Sequence, residues 1–156
     1  MINLPLRAFC LMGSNGVEKV EIIINEVFDF PERTSFEGGY DFKGELNICV
    51  GRYEVHSKDF FSSTGILYTL LVSLTSCYNS LQGMAEYKRL YEDDFAFTLK
   101  MGKTGHAMIE GTFQEYSHLS NKLIFQMETD QTCILGAISE LKQAERLFGD
   151  DKGYRV

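Results

Sequence analysis

Phe95-Ala96-Phe97-Thr98-Leu99-Lys100-Met101 is the stretch that decides the fold. Large apolar residues alternate with small or polar ones, so one face of an extended strand is buried and the other is wet. Gly102-Lys103-Thr104-Gly105 follows as a turn, and the next run places Ala107, Ile109, Gly111 and Phe113 on one parity. A loop around Tyr116 to Asn121 leads to Leu123, Phe125 and Met127, again on one parity. Short connections with consistent parity predict an antiparallel meander with one face on a core.

Upstream, Ala85 to Tyr91 reads as a further strand, ended by Glu92-Asp93-Asp94. Before it, Ser62 to Gln82 carries Ile66, Leu67, Leu70, Leu71, Leu74 and Leu81 at helical spacing. Ser62, Ser63 and Thr64 offer capping oxygens, and Gly83 suits the residue after the helix. Burying such a stripe, at about 1.5–3 kcal/mol per Leu or Ile, makes this helix structural. The opening third reads as strands. Leu6 to Met12 meets the turn Gly13-Ser14-Asn15-Gly16, and Val20, Ile22, Ile24 and Phe28 share a parity in the next run. Leu46, Ile48 and Val50 lie on one parity but Tyr53 and Val55 on the other. That phase change calls for a bulge or turn near Gly51-Arg52, and the bulge is favoured.

Downstream, Gln131 to Phe148 reads as a second helix, capped by Thr129 or Asp130, with Ile134, Leu135, Ile138 and Leu141 buried. The order strands, helix, strands, helix, without an internal repeat in the sequence, predicts an α+β fold: a single domain over 1–149, a curved antiparallel sheet packed with two amphipathic helices. Residues 150–156 read as a polar C-terminal tail.

The chain has 156 residues, 44% hydrophobic and 24% charged, with 2 Pro and 4 Cys. That length supports one core without disulfide staples. The net charge is −7 and the isoelectric point about 5.0, and Lys88-Arg89 is the one adjacent basic pair. Direct nucleic-acid binding, which leans on a basic face, is therefore not expected. No run reaches the roughly 18 apolar residues of a membrane-spanning helix, and the expected compartment is the cytoplasm, with reduced thiols.

Gly102-Lys103-Thr104 ends like a phosphate loop, but Phe97 stands where that motif needs glycine, and strands flank it on both sides. His56, His106 and His118 lack metal-ligand spacing with each other or with Cys10, Cys49, Cys77 and Cys133. No G-x-S-x-G elbow is present. The expectation is a binding protein, not an enzyme, without cofactor or metal. Two acidic patches are the candidate partner-binding residues: Asp29, Glu32, Glu37 and Asp41, with Tyr40 beside them, and Glu92, Asp93 and Asp94. Loops on a rigid scaffold are where binding residues concentrate, and aromatics enrich contact surfaces.

An ordered set of features carries a resemblance. Ser14-Asn15-Gly16 precedes a strand ending in Phe28-Asp29-Phe30-Pro31, and Tyr40-Asp41 leads into Leu46-Asn47-Ile48-Cys49-Val50. The helix from Thr64 to Leu81 runs into Gly83-Met84-Ala85-Glu86-Tyr87. Phe95 to Leu99 and Leu123-Ile124-Phe125 lead on to Asp130-Gln131-Thr132 and the last helix. In these features, over about residues 6 to 148, the chain resembles the WapI-type immunity proteins, cytosolic partners of bacterial contact-dependent toxins. Glu45 departs from the pattern, since many relatives carry an aromatic there. The resemblance implies neutralisation of a cognate toxin by covering its active surface, and an acidic face fits a basic toxin domain. A small-ligand or peptide-binding module is the alternative, which a deep apolar cavity would favour. An enzyme with an unfamiliar site would show clustered, perturbed titratable groups.

Overall fold

The structure is a computed structural model and describes residues 2–90 and 92–149. The tail expected at 150–156, and Tyr91, lie outside the described residues. Four strands come first: β1 (Leu6–Met12), β2 (Lys19–Val27), β3 (Asp41–Val50) and β4 (Tyr53–Ser63). Helix α1 (Thr64–Ser80) follows directly. Strands β5 (Met84–Lys88), β6 (Phe95–Met101), β7 (His106–Phe113) and β8 (Leu123–Asp130) come next, and helix α2 (Gln131–Phe148) closes the chain.

The fold is α+β, as expected, and its antiparallel strands are divided between two four-stranded meanders, β1-β2-β3-β4 and β5-β6-β7-β8. The division falls where α1 interrupts the strands. Helix α2 lies along β1, α1 lies along β5, and the helices pack on each other. Between the sheets, Phe9 of the first meets Phe97 of the second at 6.2 Å, while Phe60 packs on Phe95 at 6.1 Å. One core cluster draws on both sheets and both helices.

Each half is thus a meander that feeds a capped helix, a repeat of topology that the sequence does not display. The Ser63 side chain accepts from Ile66 N at 3.3 Å, and that of Asp130 from Cys133 N at 3.0 Å. Counted from these caps, Leu67 and Ile134 are equivalent, as are Leu70 and Ala137, Leu71 and Ile138, Leu74 and Leu141, and Cys77 and Ala144. All ten are buried. The two helices therefore bury the same face in the same phase.

Three local readings change. The parity switch near Gly51-Arg52 is a two-residue hairpin turn rather than a bulge. Val50 pairs with Tyr53 across it, Gly51 takes a φ of +59°, and Tyr53 points to solvent. Bulges sit elsewhere, between Ile24 and Glu26 and between Gly44 and Leu46. Leu135 is exposed, because the buried stripe of α2 runs through Ile134, Ala137 and Ile138, and Leu135 falls outside that angular window. The predicted strand from Ala85 to Tyr91 is β5, which begins at Met84 and ends at Lys88.

Candidate functional site

Residues 28–40 form the connection between β2 and β3, and hydrogen bonds fix it along its length. Phe28 N donates to Asp41 O at 2.9 Å, Arg33 N to Asp29 O at 2.8 Å, and Ser35 N to Gly39 O at 2.7 Å. The loop also docks on the start of α1. Tyr40 N donates to Thr64 Oγ1 at 2.8 Å, and Thr64 N donates back to Tyr40 O at 2.9 Å. Gly65 N donates to Gly38 O at 3.1 Å. Beneath the loop, the Phe30 ring stands edge-on to Tyr40 at 4.8 Å and to Phe148 at 5.3 Å. A connection this long is usually mobile. Here backbone bonds and an aromatic anchor hold it.

The loop that carries the first acidic stretch is tied to the segment that leads into the second, more than fifty residues away in sequence. Arg89 Nη2 lies 2.8 Å from Glu37 Oε1, and Leu90 N donates to Glu37 Oε2 at 2.9 Å. One carboxylate thereby ties loop 28–40 to the segment that follows β5. Both side chains are largely shielded from water, with 13% of Arg89 and 5% of Glu37 exposed.

The candidate residues therefore fall into separate places. Asp29, Glu32, Asp41, Glu92 and Asp93 are exposed. Glu37 is spent on the internal pair. Asp94 is half-buried. Burial is the largest influence on its carboxyl, which titrates above its ordinary range despite the nearby Arg89 and the bond from Phe95 N at 3.0 Å. Tyr40 corrects the sequence reading: it has no exposed surface, so it supports the loop from below and does not face a partner. Phe42, its neighbour on the strand, is also fully buried.

The aromatic that does face outward is Phe36, with 93% of its surface exposed. Residues 34–38 have no periodicity, so parity could not assign its direction. The signal was chemical: a Phe between Ser35 and Glu37, followed by Gly38-Gly39, sits at a turn with no strand or helix to bury it. Leu90, 69% exposed, is a second outward apolar residue beside the Glu37 tie.

The other motifs have structural roles. Gly102 to Gly105 is the β6–β7 turn, closed by Gly102 N to His106 O at 2.8 Å. His56 Nδ1 is 2.9 Å from Asn47 Oδ1, and the His118 ring lies against Tyr116. Among the described residues, no group of three or more His, Cys, Asp or Glu is placed to hold a metal ion. Burial pushes the Tyr87 phenol far up its scale, although Ser62 Oγ lies 2.7 Å away, so the two hydroxyls form a neutral core bond. The main depressions are open grooves on the surface. No helix among the described residues is long and apolar enough to cross a membrane.

A rigid α+β scaffold whose pinned loops carry exposed carboxylates and outward apolar residues has the form of a protein-binding module. The comparison with known families makes this specific. The chain belongs to the Immunity protein WapI-like family, which it matches over residues 10–149. Its class of activity is that of an immunity protein, which neutralises a protein toxin by binding it. No curated protein sequence gives a significant match. Among solved structures, the chain is similar to one from the CdiA-CT/CdiI toxin and immunity complex from Enterobacter cloacae. The two share 16% identity with a TM-score of 0.43, over 76% of this chain and 98% of that one.

Proposed function

We propose that this protein neutralises its toxin without catalysis, by seating the face formed by residues 28–41 and 89–94 on a basic domain of that toxin and blocking access to its active surface. The setting would be the cytoplasm of a cell exposed to the toxin. The observation that supports the reading is the Glu37 tie, which fixes loop 28–40 to the segment leading into Glu92-Asp93-Asp94. Asp29, Glu32, Asp41, Glu92 and Asp93 are its solvent-facing charges. A fixed cluster of like charge speeds encounter with an oppositely charged partner and disfavours wrong ones. A pre-formed face also avoids the cost of ordering a loop on binding.

The test is co-expression with the candidate toxin domain encoded by the reading frame immediately upstream. The expected result is restored growth, a purified one-to-one complex, and affinity that falls as salt rises. Continued toxicity with no complex in vitro would overturn the proposal.

A further inference from the structure

Successive connections in a meander alternate between the two ends of its strands. Residues 28–40 therefore leave from one end of the first sheet, opposite the turns at 13–18 and 51–52. Residues 89–94 and 114–122 share one end of the second sheet, opposite the turn at 102–105. The Glu37 tie between loop 28–40 and Arg89-Leu90 puts the three connections at a common end of the molecule. Loops 28–40 and 114–122, the longest connections between strands, are both there. Long loops on a rigid scaffold are where binding residues gather.

Loop 114–122 is built as firmly as its neighbours. Phe95 pairs with Phe113, and Gln114 N extends that ladder past the strand ends by donating to Asp94 O at 2.7 Å. The three connections are thus joined in series, 28–40 to 89–94 and 89–94 to 114–122. Within the loop, Gln114 Nε2 donates to Leu119 O at 2.6 Å, and Leu119 N donates to Tyr116 O at 3.1 Å. The Tyr116 ring lies against His118, with 5.9 Å between the centroids. Compact loops are commonly packed by their own side chains, as Phe30 and Tyr40 pack beneath loop 28–40. Here Tyr116 and Leu119 are 53% and 43% exposed, and neither belongs to the core cluster. The fold does not use these two side chains.

We infer that loop 114–122 is the third part of the toxin-binding face, with Tyr116 and Leu119 as the contact that holds the toxin once it has docked. This rests on the proposed function and adds to it a segment outside the two acidic stretches. Tyrosine is among the residues that dominate interface affinity, because its large ring is covered at small entropic cost. A loop already closed by its own hydrogen bonds lowers that cost further. Charge selects the occupant. Glu115 adds an exposed carboxylate to those of the acidic stretches, while Arg33 and Lys122 are the exposed Lys or Arg among the described residues of the three connections. A basic toxin domain complements that acidic excess, whereas a second copy would set it against itself.

The experiment measures dissociation of the toxin domain encoded by the upstream reading frame, by surface plasmon resonance. The variants are the double substitution Tyr116→Ala with Leu119→Ala, and Ser117→Arg, which adds bulk at an exposed position between them. Tyr53→Ala, an exposed tyrosine at the opposite end, is the control. All these positions are exposed, and an unchanged circular dichroism melt establishes that each variant folds. The expected result is dissociation at least about tenfold faster for both loop variants and unchanged for the control. If the wild type binds and both loop variants dissociate at its rate, the loop assignment is wrong while the immunity reading stands. If the wild type binds no toxin domain, both fall. Equal acceleration by Tyr53→Ala would mean that the effect is not confined to this end, and would also overturn the assignment. So would a stable dimer in light scattering that the double variant dissociates, since the loop would then serve a second copy.

Discussion

Glu37 and Arg89 form an ion pair at 2.8 Å, nearly closed off from water, and it joins the two halves of the molecule at the proposed binding face. Glu37 belongs to the loop between β2 and β3, whereas Arg89 follows the first strand of the second sheet. Both oxygens of Glu37 are engaged, since Oε1 accepts from Arg89 and Oε2 accepts from Leu90 N. Removing one partner strands the other, so loss of either should cost more than the pair itself is worth.

The first prediction follows. Glu37→Gln should destabilise the protein by about 3 kcal/mol, within the range for a broken buried pair. Arg89→Met in the same background should recover part of the loss, because no unpaired guanidinium remains. Urea denaturation of the two single variants and the double variant measures this as a cycle. Additive losses would show that the pair is not coupled.

A second prediction concerns pH. Asp130 caps α2, and its carboxyl is held below the usual value of 3.8, chiefly by the bond from Cys133 N. A depressed folded-state pKa means that the cap's contribution is present above pH 3.8 and is lost as pH falls through the lower folded value. Asp130→Ala should cost about 1 kcal/mol at neutral pH. Asp130→Asn keeps the accepting oxygen but does not titrate. The stability difference between wild type and Asp130→Asn should therefore shift against the wild type below pH 4 or so, as followed by urea midpoints across that range.

The elements legible in the sequence are those in which burial imposes a period. From Phe95 to Met127, residues of one parity face the core, and both helices could be placed by apolar spacing and their caps. The division into two sheets was not legible, because parity says which face a strand buries and not which strand lies next to it. The proposed binding face was legible in part. Acidic loops can be read directly, but Tyr40 and Phe36 are both aromatics in one loop, and only the packing of Phe30 against Tyr40 reveals which is inside. The Glu37 tie was beyond reach for a similar reason. Contacts between residues that far apart leave no local pattern.

A third prediction sets two helical glycines against each other. Replacing an exposed helical Gly with Ala ordinarily gains about 1 kcal/mol. Gly136 on α2 has open space where a Cβ would go, so Gly136→Ala should stabilise by up to that amount. Gly65 occupies the first turn of α1, where an added Cβ would run into the Gly38 backbone. Backbone cannot swing aside as a side chain can, so Gly65→Ala should instead cost about 1–3 kcal/mol and loosen the loop. Thermal melts give both signs, and a stabilising Gly65→Ala would show that the loop does not hold its close approach to the helix.

The last prediction separates the two contributions to binding by their kinetics. Exposed charges act mainly on encounter, because their field reaches about 8 Å at physiological salt and is felt before contact. The variant carrying Asp29→Lys, Glu32→Lys, Glu92→Lys and Asp93→Lys alters only exposed carboxylates and leaves Glu37 and Asp94 in place. Its association rate with the upstream-encoded toxin domain should fall at least about tenfold at low salt, and that rate should lose most of its salt dependence. Its dissociation rate should change far less, because a charge at the rim stays partly hydrated in the complex. Stopped-flow association at several salt concentrations provides the measurement. Association that is equally fast and equally salt-sensitive in this variant would remove the acidic face from the encounter step, since no other property of the four side chains acts at that distance.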